Sequence, residues 1–379
     1  MKQIIYKRFI FYFFISFSVA LLSIMTFNYF VDPGNQFSHG KLIEQKMVDA
    51  LLADKKVIVE ANYNERLLQK MMIEKMTRSP DVFVLGSSHI MALTQQPFNT
   101  ESFFNAGVSS ASLEDDIALY YLLHKKGFNP KILVICLDPW IVSKSNPEIL
   151  WKTEYAREFE KGRGLLSGKQ NMLDYFVPIT SFFEKYSQLL SSDYLGASIN
   201  KLRTSLHDHS SNKKSSEIKL FSNNDDICQN CFVRLPTGTR LPTRAEEATT
   251  PAAADLYVMN NVDGWQNFWT QSELDSQYAI LFESFIQYLK THQTRVVFYF
   301  PPLEPLQYMQ LVQKNKNYQM VLVAQKYFEA IAQKYSVEMV GSYNPHIAGV
   351  ATNDFIDSWH MKEQGFQKIF AKKMQVYNG

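Results

Sequence analysis

Three residue types in two short stretches of this chain could do chemistry together. In "PDVFVLGSSHIMAL" (80 to 93) an apolar, strand-like run feeds Gly86-Ser87-Ser88-His89, and in "NDFIDSWHMKEQG" (353 to 365) Asp357 and His360 stand three residues apart. A serine hydroxyl is a weak nucleophile at neutral pH. It needs a neutral imidazole to take its proton, and a carboxylate on the other ring nitrogen to fix the tautomer and steady the imidazolium. D-x-x-H can supply both partners from one piece of backbone. Each stretch alone has a plainer reading: Gly-Ser-Ser as a small-residue turn, Asp357 as the cap of the last helix with His360 in its first turn. Together, each supplies what the other lacks.

Such residues must be delivered by a scaffold, and in open α/β sheets ligands gather at the carboxyl ends of the strands. The strand candidates are 81 to 85, 102 to 107, "KILVICL" (131 to 137), "RVVFYF" (295 to 300) and "VEMVG" (337 to 341), each short and apolar. Helices are expected over 41 to 78, which has no internal Gly or Pro, from the capping-box pattern Ser112-x-x-Asp115 to Lys126, from Thr270-x-x-Glu273 to His292, from Tyr318 to Tyr335, and from Lys362 onward. This alternation predicts an α/β fold, a three-layer α/β/α sandwich around a mostly parallel sheet. The expected organisation is a stub and anchor (1 to 31), a helical connector (32 to 78), a catalytic domain in two pieces (79 to 144 and 266 to 379), and a partly irregular insertion (145 to 265). Within the insertion, 205 to 255 is polar and rich in Pro, Ser and Thr, which suits a surface excursion.

No residue from Phe9 to Val31 is charged, and a helix of that length covers the roughly 30 Å hydrocarbon core of a bilayer. Lys2, Lys7 and Arg8 precede it and Asp32 follows, so the positive-inside rule predicts a single-pass cytoplasmic (inner) membrane protein with its N-terminus inside and the remaining chain on the periplasmic or extracellular side. A cleaved signal peptide is the competing reading, against which stand the length of the run and the lack of an A-x-A-like site. With 46% hydrophobic and 20% charged residues, a net charge of +2 and dispersed Lys and Arg, the composition is that of a globular protein and argues against nucleic-acid binding. Cys136, in an apolar run, reads as a buried small hydrophobe, while Cys228 and Cys231, exported by this topology, favour a local disulfide over zinc, for which His207 and His209 have no standard spacing. No cofactor or metal is called for.

"VFVLGSSH", "FFNAGVSSAS" and "DSWHMKEQG" resemble the first, second and fifth sequence blocks of the SGNH/GDSL hydrolase superfamily, whose triad runs in the order Ser, Asp, His. With its N-terminal anchor, the "FNYFVDP" exit and Gly-Ser-Ser in place of Gly-Asp-Ser, the chain is most similar to the DltD-like branch and the alginate O-acetylation proteins. The resemblance implies Ser88 as nucleophile, His360 as general base, Asp357 as its orienter, and the backbone N–H groups of Ser88 and Gly107 as oxyanion donors. Ser87 then reads as a turn residue, and His89 as a side chain directed into the fold. The superfamily's third block supplies an asparagine to the oxyanion hole; here that strand ends in Leu137-Asp138-Pro139-Trp140, so Asp138 is expected to hold the loop or a substrate hydroxyl. Trp359 is expected to line the site, and Glu304, after Pro301-Pro302, either to line the acceptor groove or simply to follow a strand stop.

The implied activity is an O-acyltransferase or esterase handling O-acyl groups, acetyl foremost, of an envelope glycan or acylated lipid carrier through a serine acyl-enzyme. A membrane-bound O-acyltransferase is implied as a possible partner. The alternative from another class is a non-catalytic binding or assembly factor of an envelope polysaccharide machinery that keeps the fold with a weakened oxyanion hole. A phosphodiester or sulfate enzyme would need a metal-binding carboxylate cluster that the sequence does not show.

Overall fold

The computed structural model describes residues 2–32, 37, 40–59, 63–100, 102–143, 150–168, 186–210, 219–220, 229–261, 273–313 and 319–374. The uncharged N-terminal run lies in helix α1 (Lys2–Val31). Its segment Tyr6–Val31, 26 residues of mean hydropathy 2.1, is long and apolar enough to cross a membrane, and its most apolar window is not buried by the rest of the chain.

The single helix expected over 41 to 78 is instead two, α2 (Gly40–Leu52) and α3 (Glu65–Lys75), with strand β1 (Val57–Val59) between them. Three local causes break it. Asp54 takes a left-handed conformation at φ 59°, the β-branched triplet Val57-Ile58-Val59 suits a pleated, buried surface, and Asn64 restarts the helix by accepting a hydrogen bond from the Leu67 N–H at 3.0 Å.

The further strands are β2 (Val82–Leu85), β3 (Phe103–Asn105), β4 (Ile132–Cys136), β5 (Lys219–Leu220), β6 (Phe232–Arg234), β7 (Arg240–Leu241), β8 (Arg295–Phe300) and β9 (Glu338–Gly341). A parallel five-stranded sheet runs β3-β2-β4-β8-β9, with Val82 opposite both Phe103 and Ile132, Ile132 opposite Arg295, and Val297 opposite Glu338. The chain leaves β2 for one edge of the sheet and β4 for the other. The order therefore reverses between β2 and β4, and a crevice opens beyond their carboxyl ends.

The principal helices beyond α3 are α4 (Leu113–Lys125), α5 (Ser192–Ser210), α6 (Ser276–Thr291), α7 (Pro305–Gln313), α8 (Met320–Tyr335) and α9 (Glu363–Met374). Strand residues alternate between two apolar clusters. Phe83, Leu133, Ile135 and Phe298 pack with residues of α2, α3, α4, α6 and α8, while Val82, Val134, Val297 and Tyr299 pack with α9. Both faces of the sheet are thus covered, as uninterrupted apolar strands require. The capping box Ser112/Asp115 starts α4 as its spacing predicts. Helix α6 starts later than expected: Asp275 caps it by accepting from the Gln277 N–H at 2.8 Å and the Tyr278 N–H at 3.2 Å, and Thr270 lies outside the described residues.

A second, antiparallel sheet runs β5-β1-β6-β7 and draws the insertion against the connector. In the stretch 205 to 255, expected to be a surface excursion or a partly disordered loop, the described residues include a hairpin whose Val233 and Arg234 are buried. "FVRLPTGTRL" holds its two strands around a turn in which Gly238 has φ 77°. Cys136 is free and buried; Cys231 is disulfide-bonded, and Cys228, its expected partner, lies outside the described residues.

Candidate active site

The turn after β2 is built so that one serine faces inward and the next outward. Gly86 has φ 137°, and a Cβ there would meet the Cys136 Cβ at 2.2 Å, so only glycine lets β2 leave the sheet so close to β4. Ser87 is buried; its Oγ accepts from the His89 N–H at 3.1 Å and its carbonyl from the Ile90 N–H at 3.1 Å. That fixes Ser87 as the turn residue and leaves Ser88 half-buried on the outer side. Asn105, at the end of β3, braces the turn from beneath: its Nδ2 lies 2.8 Å from the Ile90 carbonyl, 3.1 Å from that of Leu93 and 3.3 Å from that of Met91.

The loop between β9 and α9 brings the other two residues to that serine. Its base is closed by a bridge between Phe355 and Met361 and by the Ile356 N–H donating to the His360 carbonyl at 2.9 Å. Asp357 Oδ1 accepts from the Trp359 and His360 N–H groups, both at 2.8 Å, so the carboxylate organises its own turn and does not cap α9. Asp357 Oδ2 lies 2.8 Å from His360 Nδ1, and His360 Nε2 lies 2.8 Å from Ser88 Oγ. Burial opposes ionisation of Asp357, but the His360 ring and the two backbone N–H groups outweigh it, and its pKa falls below the ordinary carboxylate value. An ionised carboxylate only accepts, so Nδ1 carries the hydrogen, and Nε2 is left to accept the serine proton.

Ser88, Asp357 and His360 line a cleft of about 120 Å³, together with Met91, Ile356, Met361 and four residues from the insertion, Arg240, Leu241, Pro242 and Glu246. The Arg240 N–H donates to the Met91 carbonyl at 3.0 Å, locking the hairpin to the turn that carries Ser88. Its guanidinium lies over the Phe232 ring at 3.8 Å and reaches Glu65 Oε1 at 3.5 Å. Burial opposes ionisation of Glu65, but Arg234 and Arg240 hold its carboxyl below the usual range, and Glu65 Oε2 accepts from the Ser109 N–H at 2.8 Å. Arg240 and Glu246 were not anticipated. The signal available was the alternating, turn-centred "RLPTGTRLP", which marks a hairpin but not where it docks.

The oxyanion role expected of Gly107 and the substrate-lining roles expected of Asp138, Trp359 and Glu304 are corrected. The Gly107 N–H donates to Asn105 Oδ1 at 3.0 Å and is spent within its own loop, since an asparagine with its amide nitrogen turned to carbonyls needs a donor for its oxygen. The Ser88 N–H makes no hydrogen bond among the described residues. Asp138 is buried and does not line the cleft; its Oδ1 lies 2.6 Å from His89 Nδ1, so it holds the imidazole that follows the serine. Trp359 stacks on that same His89 ring at 6.0 Å and backs the relay instead of lining the cleft. Glu304 is buried and caps α7, its Oε2 accepting from the Leu306 and Gln307 N–H groups at 2.7 and 3.0 Å and its Oε1 from the Thr352 hydroxyl at 2.9 Å. His89 does turn into the fold, with 6% of its surface exposed.

No family model matches this chain, and no curated protein matches it.

Proposed function

We propose that this chain is a membrane-anchored acyl-transfer enzyme of the SGNH/GDSL type, with a three-layer α/β/α catalytic domain on the external side of the cytoplasmic membrane. The observation that carries the reading is the unbroken relay from Asp357 through His360 to Ser88, each link 2.8 Å long. Ser88 Oγ attacks the acyl carbonyl of an O-acyl donor while His360 Nε2 takes its proton, and Asp357 steadies the imidazolium. The tetrahedral intermediate carries its negative oxygen toward the Ser88 N–H and the cationic side of the cleft at Arg240. Its collapse expels the donor alcohol with the proton from His360 and leaves an acyl-Ser88 ester. A second hydroxyl, from water in an esterase or a sugar in a transferase, gives its proton to His360 and attacks the ester carbonyl, and collapse expels Ser88 Oγ, which takes that proton back from His360. The cleft is small, about 120 Å³, which suits an acetyl-sized group on an envelope glycan or lipid carrier.

A second reading, a non-catalytic binding or assembly factor, is favoured by one observation: Gly107 and Asp138 are both engaged inside the fold, leaving a sparse oxyanion hole. Comparing envelope-glycan O-acylation in cells carrying wild type and Ser88→Ala separates the two. The enzyme reading predicts loss of acylation in the variant with its membrane level unchanged. Acylation at wild-type level in Ser88→Ala would overturn it.

A further inference from the structure

Among the described residues, helix α5 and the 3₁₀ turn at 188–190 before it pack on the anchor. Asn28 of α1 donates to the Leu189 carbonyl at 2.8 Å, Tyr194 donates to Asp32 Oδ1 at 2.7 Å, and Lys201 Nζ donates to the Asp32 carbonyl at 2.9 Å. Tyr29, Phe37, Tyr186 and Tyr194 surround this junction, with Phe37 5.7, 5.5 and 6.0 Å from the other three rings. Amphipathic aromatic rings of this kind concentrate at membrane–water interfaces.

Two features place the junction at the edge of a bilayer. The apolar span of 26 residues exceeds the about 20 that cover the hydrocarbon core, and its last turn carries Asn28 and Tyr29 with Asp32 just beyond, polar groups that belong at the interface. The last turns of the span are the ones that α5 and the preceding 3₁₀ turn at 188–190 partly cover: Leu21, Ile24, Met25, Phe27 and Val31 are half-buried, while Phe9 to Ala20 on the open part of the span are bare apart from the chain's own helix.

On α5 itself, Tyr194, Ser198 and Lys201 share the side turned to α1, with Ser198 buried. Leu195, Ile199 and Leu202 recur at the i, i+4, i+7 spacing that puts them on one neighbouring face. Ile199 and Leu202 are 45% and 43% exposed, and Leu190 beside them is 46% exposed. Lys201 and Arg203 flank the stripe, an arrangement found in helices that lie in a lipid interface. Among the described residues nothing covers Ile199 and Leu202, and the helix that carries them packs on α1.

We infer that α5 is an interfacial helix, seated in the outer lipid surface through Leu195, Ile199 and Leu202, that fixes the height and tilt of the domain above the membrane. This rests on α1 spanning the bilayer. A rigid collar of this kind would limit the cleft to acyl groups presented at a set distance from the lipid.

The test uses the full chain in lipid nanodiscs with an environment-sensitive fluorophore on one introduced cysteine at a time, since Cys136 is buried and Cys231 is disulfide-bonded. Ile199→Cys and Leu202→Cys report the stripe, Ala197→Cys the exposed opposite side of the same helix, and Ser23→Cys the anchor. The inference predicts blue-shifted emission and strong quenching by headgroup-level spin-labelled lipid at 199 and 202, with 197 behaving as a water-exposed site. Equal, water-like emission at 197, 199 and 202 while 23 is quenched by lipid would overturn it. Water-like emission at 23 would instead overturn the anchor reading beneath it.

Discussion

Asp357 and Asn105 show the two ways a single side chain serves this site, one by holding a ring and the other by holding a turn. Asp357 keeps its carboxylate below the ordinary value of 3.8 in the folded chain. Its stabilising contribution is therefore complete above that value and disappears only as pH falls through the lower folded value. Asp357→Asn preserves the shape but presents the wrong tautomer to Ser88, and should lower kcat for ester cleavage by about 10⁴-fold while also lowering Tm at neutral pH, where the ionised carboxylate contributes; Tm and steady-state kinetics on one sample check both halves. Asn105→Ala strips the hydrogen bonds to the 90–93 turn and to Gly107, all in buried surroundings, and should cost about 3 kcal/mol, read as a fall in the urea midpoint at unchanged slope. The relay was legible in the sequence because serine, histidine and aspartate announce their chemistry by type and spacing. The engagement of Gly107 was not, because the direction of the Asn105 amide depends on which carbonyls the folded turn presents, and "NAG" reads the same either way.

At the level of elements, the strands of the parallel sheet and the Ser112/Asp115 capping box matched the structure, whereas the start expected at Thr270-x-x-Glu273 gave way to an Asp275 cap and the connector divided where two local preferences competed. Residues 41 to 78 lack Gly and Pro, yet a β-branched triplet and Asn64 divide them, and the strand so formed is completed by partners more than 150 residues away at 219–220 and 232–234. That pairing is long-range, and no window of sequence contains it. The divided connector also buries an acid. Glu44 on α2 accepts from the Asn64 N–H that begins α3, and burial, reinforced by Glu154 and Asp32 though opposed by the Asn64 N–H, raises its pKa from 4.5 to about 7. Between those two values the folded chain keeps a proton that the unfolded chain releases, so stability declines as pH rises from 4.5 to about 7 and is level above. Urea titrations should show a decline of about 1 kcal/mol per pH unit across that window, and Glu44→Gln should flatten it; an unchanged slope in the variant would assign the effect elsewhere.

For the whole molecule, the parallel sheet and the place of the site followed from the alternation of elements, since the reversal between β2 and β4 is where Ser88 and Asp138 emerge. The role of the insertion did not follow, because its composition is polar and only its docking against β3 and the nucleophile turn brings Arg240 and Glu246 into the cleft. The N-terminal helix predicts that the protein stays with membranes through alkaline carbonate and is released by detergent; recovery in the carbonate supernatant would argue for cleavage of the leader instead. The central claim is that Ser88 is an activated nucleophile, and the most direct measurement is intact-mass and peptide mass spectrometry after reaction with a small serine-reactive phosphonate. A single covalent adduct mapped to Ser88, absent from Ser88→Ala and strongly reduced in His360→Ala, is the predicted result. A folded wild-type protein that takes up no adduct, or takes it equally in Ser88→Ala, would contradict the account.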